Sequence, residues 1–213
     1  MKIINYKNLL LVFYIFINMN TGACQNKKTN NMDNNLNIRL VERKAEKTHY
    51  TEPENLVGYY WETKEKDGTI VIIEGDKEEG FTEVRRIKNA YYEIYKEYGP
   101  EGIIILSGKF FGDHTPIGIW RYYDKEGNLL EEIDNDKKFG RFGYVEVLNF
   151  LIGKNYVENK TYKGLSRIDI SFSEENKTWH IRVNNPGYII DDYELDGDNG
   201  EIKSHKNFRG GRM

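Results

Sequence analysis

Three segments in the first two thirds of the chain repeat one pattern of hydrophobic and polar positions. Each begins with an aromatic-rich run, continues through an acidic turn that contains glycine, and ends with an aliphatic run. The turn glycines are Gly68, Gly102 and Gly127, and glycine suits hairpin turns that need a positive φ. Alternation with period two is typical of strands that bury one face. The pattern therefore predicts antiparallel hairpins, which we assign to a β meander over residues 46–140.

The third hairpin carries the most specific motif. It opens with Gly118-Ile119-Trp120, and residues 123–129 read Tyr-Asp-Lys-Glu-Gly-Asn-Leu. This segment resembles a MORN-type repeat of the bacterial variety, in which a Gly-x-Trp strand and an x-x-Gly-x-Leu strand form successive hairpins of a long sheet. Similar repeats occur in bacterial proteins labelled as antitoxins or immunity proteins. The resemblance implies an extended sheet that binds another protein.

The last third of the chain predicts a helix followed by strands. Apolar residues recur at helical spacing over residues 142–153, and Gly153 suits the end of a helix. Two alternating strands follow, and then a hairpin closed by residues 197–200. Helix first and sheet afterwards is an α+β arrangement. We therefore predict an α+β fold that is mainly β, with a compact unit over residues 141–205 and a disordered tail over residues 206–213.

This unit resembles the PepSY-like domain. The resemblance rests on Trp179-His180-Ile181-Arg182-Val183 and on a Tyr-x-x-Asp-x-x-x-Gly-x-Ile hairpin that begins at Tyr193. PepSY-like domains are found in exported proteins and propeptides, and are thought to bind or inhibit. The resemblance implies an inhibitory or binding role for this half of the chain.

The N-terminus has the pattern of an export signal. Lys2 and Lys7 precede an apolar run over residues 9–17, which is the length of a signal-peptide core and too short to span a bilayer. Thr21-Gly22-Ala23-Cys24 then resembles a bacterial lipobox of the relaxed kind seen in Bacteroidetes lipoproteins, with Thr21 in place of the usual Leu. The resemblance implies a signal peptide over residues 1–23 and lipidation of Cys24. The alternative is an ordinary cleaved signal followed by a chance cysteine.

The segment after Cys24 is almost wholly polar, and we predict that residues 24–45 form a flexible tether. Some lipoproteins of the Bacteroidetes carry an acidic run after the cysteine, which directs them to the cell surface. Lys27 and Lys28 occupy that place here. We therefore expect an outer-membrane lipoprotein on the periplasmic face, held to the membrane by the acyl anchor at Cys24.

Charge and cysteine content narrow the kinds of partner. Removing Lys2 and Lys7 from the 31 basic residues leaves 29 against 34 acidic ones, a net charge of −5. That acidity argues against nucleic acid and against electrostatic binding to anionic lipid. The single cysteine excludes an intrachain disulfide. We expect a protein partner, either a toxin or a peptidase.

Aromatic residues supply the candidate binding site. They could form a stacking platform for a sugar or a peptide, although large aromatic residues more commonly cover the core of a sheet. The candidates are Trp61, Trp120, Tyr122 and Trp179.

The sequence offers no catalytic or metal-binding motif, so we predict no catalytic residue, no metal and no cofactor. Asp113 and His114 lie in a loop that could hold a metal or serve as an acid–base pair, but no second histidine lies nearby in sequence. Asp196, Asp198 and Glu201 do not have the spacing of a calcium loop.

Three hypotheses for function follow. The first is a lipid-anchored, non-catalytic protein-binding module of the cell envelope, in its sharper form an immunity protein against a delivered toxin. The second is a PepSY-type inhibitor of an exported peptidase. The third, a hydrolase acting on the cell wall, would need Asp113 or His114 as a catalytic group.

Overall fold

Two antiparallel β-sheets make up most of the structure, a computed structural model that describes residues 35–49, 57–112, 114–158 and 167–210. All of these residues belong to one compact unit, Asn31–Met213. The predicted signal peptide, Cys24 and Asp113 lie outside the described residues. Neither helix within the described ranges is long and apolar enough to cross a membrane.

The larger sheet is an eight-stranded meander in which each strand pairs with the next along the chain. It confirms that the fold is mainly β and antiparallel. The three predicted hairpins are β2–β3, β5–β6 and β7–β8. The strands are β1 Glu46–His49, β2 Val57–Lys64, β3 Ile70–Asp76, β4 Gly80–Arg86, β5 Tyr92–Tyr98, β6 Ile104–Phe111, β7 Thr115–Tyr123 and β8 Leu129–Asp134.

Two of these strands, β1 and β4, have no counterpart among the predicted hairpins. In β4 the buried face carries Glu83 between Phe81 and Arg85, which breaks the apolar alternation. The carboxylate of Glu83 is satisfied in its buried position. It accepts a hydrogen bond from the hydroxyl of Tyr98 at 2.9 Å, and the guanidinium of Arg85 lies 3.3 Å from it. This strand therefore buries a carboxylate with polar and charged partners, and its sequence does not show the apolar alternation by which strands are predicted.

One face of the meander, called here the inner face, is covered at the end formed by its first strands. Helix α1, Ile38–Lys44, packs Val41 against Tyr59, Ile73 and Phe81. The side chain of Asn37 caps this helix by accepting from the backbone N–H of Leu40 at 3.1 Å. The prediction of a tether over residues 24–45 is therefore wrong for residues 38–44, where a buried valine, a cap and an ion pair between Glu42 and Lys77 hold a short helix against the sheet.

The second sheet covers another part of the inner face. Helix α2, Tyr144–Gly153, precedes it and confirms the helix predicted over residues 142–153. Its four strands lie in the order β12-β11-β10-β9. They are β9 Ile168–Ser173, β10 Thr178–Asn185, β11 Ile189–Asp196 and β12 Ile202–Arg209.

The two sheets share one hydrophobic core. Phe111 and Ile117 from the meander join α2 and the buried face of the small sheet in a single cluster. The hydroxyl of Thr115 in β7 also donates to the carbonyl of Ile170 in β9 at 2.7 Å. Helix, small sheet and the β6–β7 end of the meander therefore stabilise one another.

The predicted disordered tail is wrong for residues 206–209. They continue β12, with Lys206 opposite Asp192 and Phe208 opposite Ile190. The strand is held by backbone pairing and by side chains of Asn207 and His205 that bind Asp191. The basic, polar composition of these residues conceals that pairing.

Candidate protein-binding face

The other face of the meander, called here the outer face, has apolar residues along its middle. The strand register brings them into one row that runs across five adjacent strands and the edge strand. None of them belongs to the clusters that α1, α2 and the small sheet form with the inner face. The row consists of Ile72, Val84, Tyr95, Gly108, Trp120 and Ile133.

Trp120 anchors the centre of this row. Its indole lies flat on Gly108 of the neighbouring strand, where an added Cβ would stand 2.3 Å from two ring carbons. The ring N–H donates to the carbonyl of Lys109 at 3.2 Å. Phe110 packs edge-on with ring centroids 4.8 Å apart, and Tyr95 stacks at 6.2 Å. Only 6% of Trp120 is exposed. It therefore holds its neighbours in place and offers little of its own surface to a partner.

Carboxylates surround the apolar row. The register places six glutamates and only two basic residues, Lys64 and Arg86, on the outer face. The inner face has the opposite balance, with five basic residues against three acidic ones. The outer-face glutamates are Glu46, Glu62, Glu74, Glu93, Glu97 and Glu131. The sheet is therefore acidic on one side and basic on the other.

Most of this negative charge is not neutralised. Glu93 pairs with Arg86, Nε to Oε1, at 2.5 Å. Glu97 and Glu62 instead accept from the uncharged hydroxyls of Tyr95 and Tyr60, at 2.6 and 2.8 Å. Such donors orient a carboxylate without cancelling its charge.

The tyrosines on this face are affected by the negative field. Burial raises the pKa of Tyr122, and the charges of Glu131 and Glu97 raise it further. The hydrogen bond to Glu62 is the main cause of the raised pKa of Tyr60. Tyr122 is 36% exposed, so an uncharged hydroxyl stands beside carboxylates at the border of the apolar row.

The four aromatic residues predicted as a binding site do not lie together. Trp61 packs on the inner face beside the α1 cluster. Trp179 is completely buried in the small-sheet core, where its ring N–H donates to the carbonyl of Phe142 at 2.8 Å. Only Trp120 and Tyr122 share the outer face. The glutamates of that face were not predicted as site residues, although Glu93 and Glu97 lie four residues apart in β5 and so share one side of that strand.

A shallow groove of about 540 Å³ lies on the exposed face of the small sheet. Arg182 and Asp192 form an ion pair across it at 2.7 Å. His180 Nδ1 stands 3.8 Å from Glu194, beyond hydrogen-bonding distance. His114, the predicted acid–base candidate, borders this groove. Among the described residues no three of the usual metal-binding side chains converge on one point.

A polar cluster beneath β12 has a structural role. The carboxylate of Asp191, 8% exposed, binds Asn185, Asn207, Tyr156 and His205 at 2.7, 2.8, 2.9 and 3.0 Å. Burial raises the pKa of Asp191, but these four hydrogen bonds outweigh it and leave the pKa below its usual value. The ring of His205 also stacks on Tyr193 at 4.1 Å. The cluster therefore holds β12 to the sheet.

Comparisons of this chain with protein-family models, with curated proteins and with solved structures found no match.

Proposed function

We propose that this protein is a lipid-anchored, non-catalytic binding module of the cell envelope that captures a basic protein on the outer face of its meander. In its sharper form the proposal makes the protein an immunity protein, and the partner a cationic toxin delivered to the periplasm. The observation that carries the proposal is the apolar row bordered by carboxylates, on a face that the two described helices and the small sheet leave uncovered.

The composition of the outer face suits protein recognition. Tyr60, Tyr122 and Ile133 are exposed there, beside a fixed Trp120. Tyrosine and tryptophan dominate the energetic centres of interfaces because they bury large areas at low entropic cost. An uncovered apolar patch rimmed by polar groups is the usual mark of an interaction site.

The charge of the outer face selects the partner. Six glutamates against two basic residues repel acidic proteins and attract basic ones, and such fields raise association rates more than they raise affinity. The basic inner face repels the same partner. A cationic protein is therefore steered to one side of the sheet.

The remaining parts of the proposal concern anchoring and ancestry. We propose that acyl chains on Cys24 hold the protein to the periplasmic face of the outer membrane. We further propose that the meander is a degenerate MORN-type array, supported by its uninterrupted hairpin order, and that the following unit is PepSY-like, supported by one helix followed by four antiparallel strands.

Affinity capture from an envelope extract tests the proposal. The bait is the chain from residue 25 onward, which keeps the whole compact unit. A variant with Glu74→Gln, Glu97→Gln and Glu131→Gln removes three outer-face charges, and Glu132→Gln serves as an inner-face control. We expect a basic protein that is retained by the parent and by the control and lost by the triple variant. Equal retention by all three baits would contradict the proposal.

A further inference from the structure

Within the part of the chain that the structure describes, the two sheets have four edge strands, and the two long ones that are exposed along most of their length are β8 and β12. In the edge strand β9, the carbonyl of Ile170 already accepts a hydrogen bond from Thr115 of the meander. The edge strand β1 has only four residues. By contrast, β8 and β12 each pair with one neighbour and expose nearly every side chain. An open edge presents unpaired N–H and C=O groups to another strand.

The two open edges have opposite charge. Strand β8 reads Leu-Leu-Glu-Glu-Ile-Asp, with Leu130 67% exposed. Strand β12 reads Ile-Lys-Ser-His-Lys-Asn-Phe-Arg, with Phe208 41% exposed. Three acids on the first strand and three permanent bases on the second accompany exposed apolar residues on both. Each edge would repel a copy of itself through its own repeated charge, but the opposite charges of β8 and β12 attract, and neither strand contains proline.

One antiparallel register satisfies both strands. With Glu131 opposite Lys206, Glu132 falls opposite His205, and Asp134 falls opposite Lys203, the residue at which β12 bulges. The same register sets Leu129 opposite Phe208. Opposite charges and apolar pairs at directly facing positions each stabilise a ladder. Each acidic residue of β8 then faces a basic residue of β12. Lys203 already pairs with Asp196 at 2.9 Å and His205 with Asp191 at 3.0 Å, so the pair of Glu131 with Lys206 carries most of the charge complementarity.

We infer that two copies of this chain associate by pairing β8 of one with β12 of the other in this register. The interface is heterologous, because a different strand is used on each copy. Each copy keeps one open edge after pairing, so association builds a ring if the rotation closes and an open chain if it does not. This self-association uses a strand edge and not the outer face, although Glu131 belongs to both surfaces.

Charge reversal in two separate chains tests the inference. The acidic-edge variant Glu131→Lys, Glu132→Lys has two basic edges, and the basic-edge variant Lys203→Glu, Lys206→Glu has two acidic edges. Sedimentation velocity on residues 25–213 should show that the parent associates with rising concentration and less strongly at high salt. Each variant alone should associate about tenfold more weakly. A mixture of the two variants should regain association, since each then meets an edge of opposite charge.

Three results would overturn the inference: a parent that stays monomeric to its solubility limit, variants that associate as the parent does, or a mixture that stays monomeric although circular dichroism shows both chains folded. Disulfide crosslinking provides a second test in case a charge-reversal variant fails to fold. A Glu131→Cys chain mixed with a Lys206→Cys chain should give a disulfide-linked dimer. A Lys125→Cys chain, altered in the adjoining exposed turn, should not. Equal yields from both mixtures would equally refute the register.

Discussion

The indole of Trp120 lies directly on Gly108, a residue of the adjacent strand with no side chain to keep the ring away from the backbone. This contact lets a large aromatic residue sit flat in an outer face that carries no covering helix. It also fixes the ring between Phe110 and Tyr95. The surface that we propose for binding is therefore organised by a glycine as much as by the aromatic residues.

Gly108→Ala should displace the indole and lower the free energy of unfolding by about 1–3 kcal/mol, the usual range for forcing extra volume into a packed site. Gly153→Ala is the matched control, because no atom lies within 4 Å of the added Cβ at that position. Urea denaturation of both variants measures the difference. A neutral Gly108→Ala would mean that the Trp120–Gly108 contact does not constrain the sheet.

Trp179 and Tyr122 are both aromatic residues of alternating strands, but we expect one to matter for stability and the other for binding. Trp179 is fully buried among Phe139 and Phe172, so Trp179→Ala should cost about 3–5 kcal/mol of stability. Tyr122→Ala removes a half-exposed ring from the outer face, and should weaken partner capture while changing stability by less than about 1 kcal/mol. Thermal melts and retention on the bait distinguish the two. The reverse outcome, with Tyr122→Ala the less stable variant, would contradict the proposed division of roles.

The sequence predicts the hairpins because their strands alternate strictly and their turns contain glycine beside an acidic residue. It predicts α2 to within two residues because Leu148, Leu151 and Ile152 keep helical spacing. Strand β4 and residues 206–209 of β12 escape prediction since charged or polar side chains occupy inward positions, and their partners lie on other strands. Pairing of Glu83 with Tyr98, or of Asn207 with Asp191, has no local signature.

The candidate site is predictable only in part. Trp120 and Tyr122 can be picked out as aromatic residues, but their face depends on the register and on the bulges of β6 and β7. Without the register, the sequence also cannot show that Trp61 and Trp179 lie on other faces than Trp120 and Tyr122. The opposite charge of the two faces cannot be seen in any single strand. It becomes visible only when the register of all eight strands of the meander is known.

Stability should depend on pH through Asp191. The pKa of this carboxyl is lowered in the folded protein, so its charged form stabilises the fold above the unfolded value of about 3.9. That contribution is lost as the pH falls through the lower, folded value. Asp191→Asn should flatten the loss of stability below about pH 4, whereas Glu175→Gln, in an exposed turn, should leave it unchanged. Parallel acid denaturation curves for parent and Asp191→Asn would show that the cluster does not act in this way.

Anchoring is a separate prediction. Cells that produce the full chain and are labelled with radioactive palmitate should give a labelled protein, and Cys24→Ser should give an unlabelled one released from the membrane fraction. Two or more acyl chains anchor a protein stably where one does not. An unlabelled parent chain would remove the lipid anchor from the proposal and leave the outer face unaffected.

Site-specific photocrosslinking in living cells tests the central claim most directly. A photoreactive amino acid is placed at Tyr122 or Ile133 on the outer face, and at Ile119 or Arg121 on the inner face; Ile133 and Ile119 are both exposed. An adduct with a second copy of this chain is recognised by its mass and set aside. We predict an adduct with one basic protein from the two outer-face positions only. Adducts from both faces, or an acidic protein on the outer face, would contradict the account.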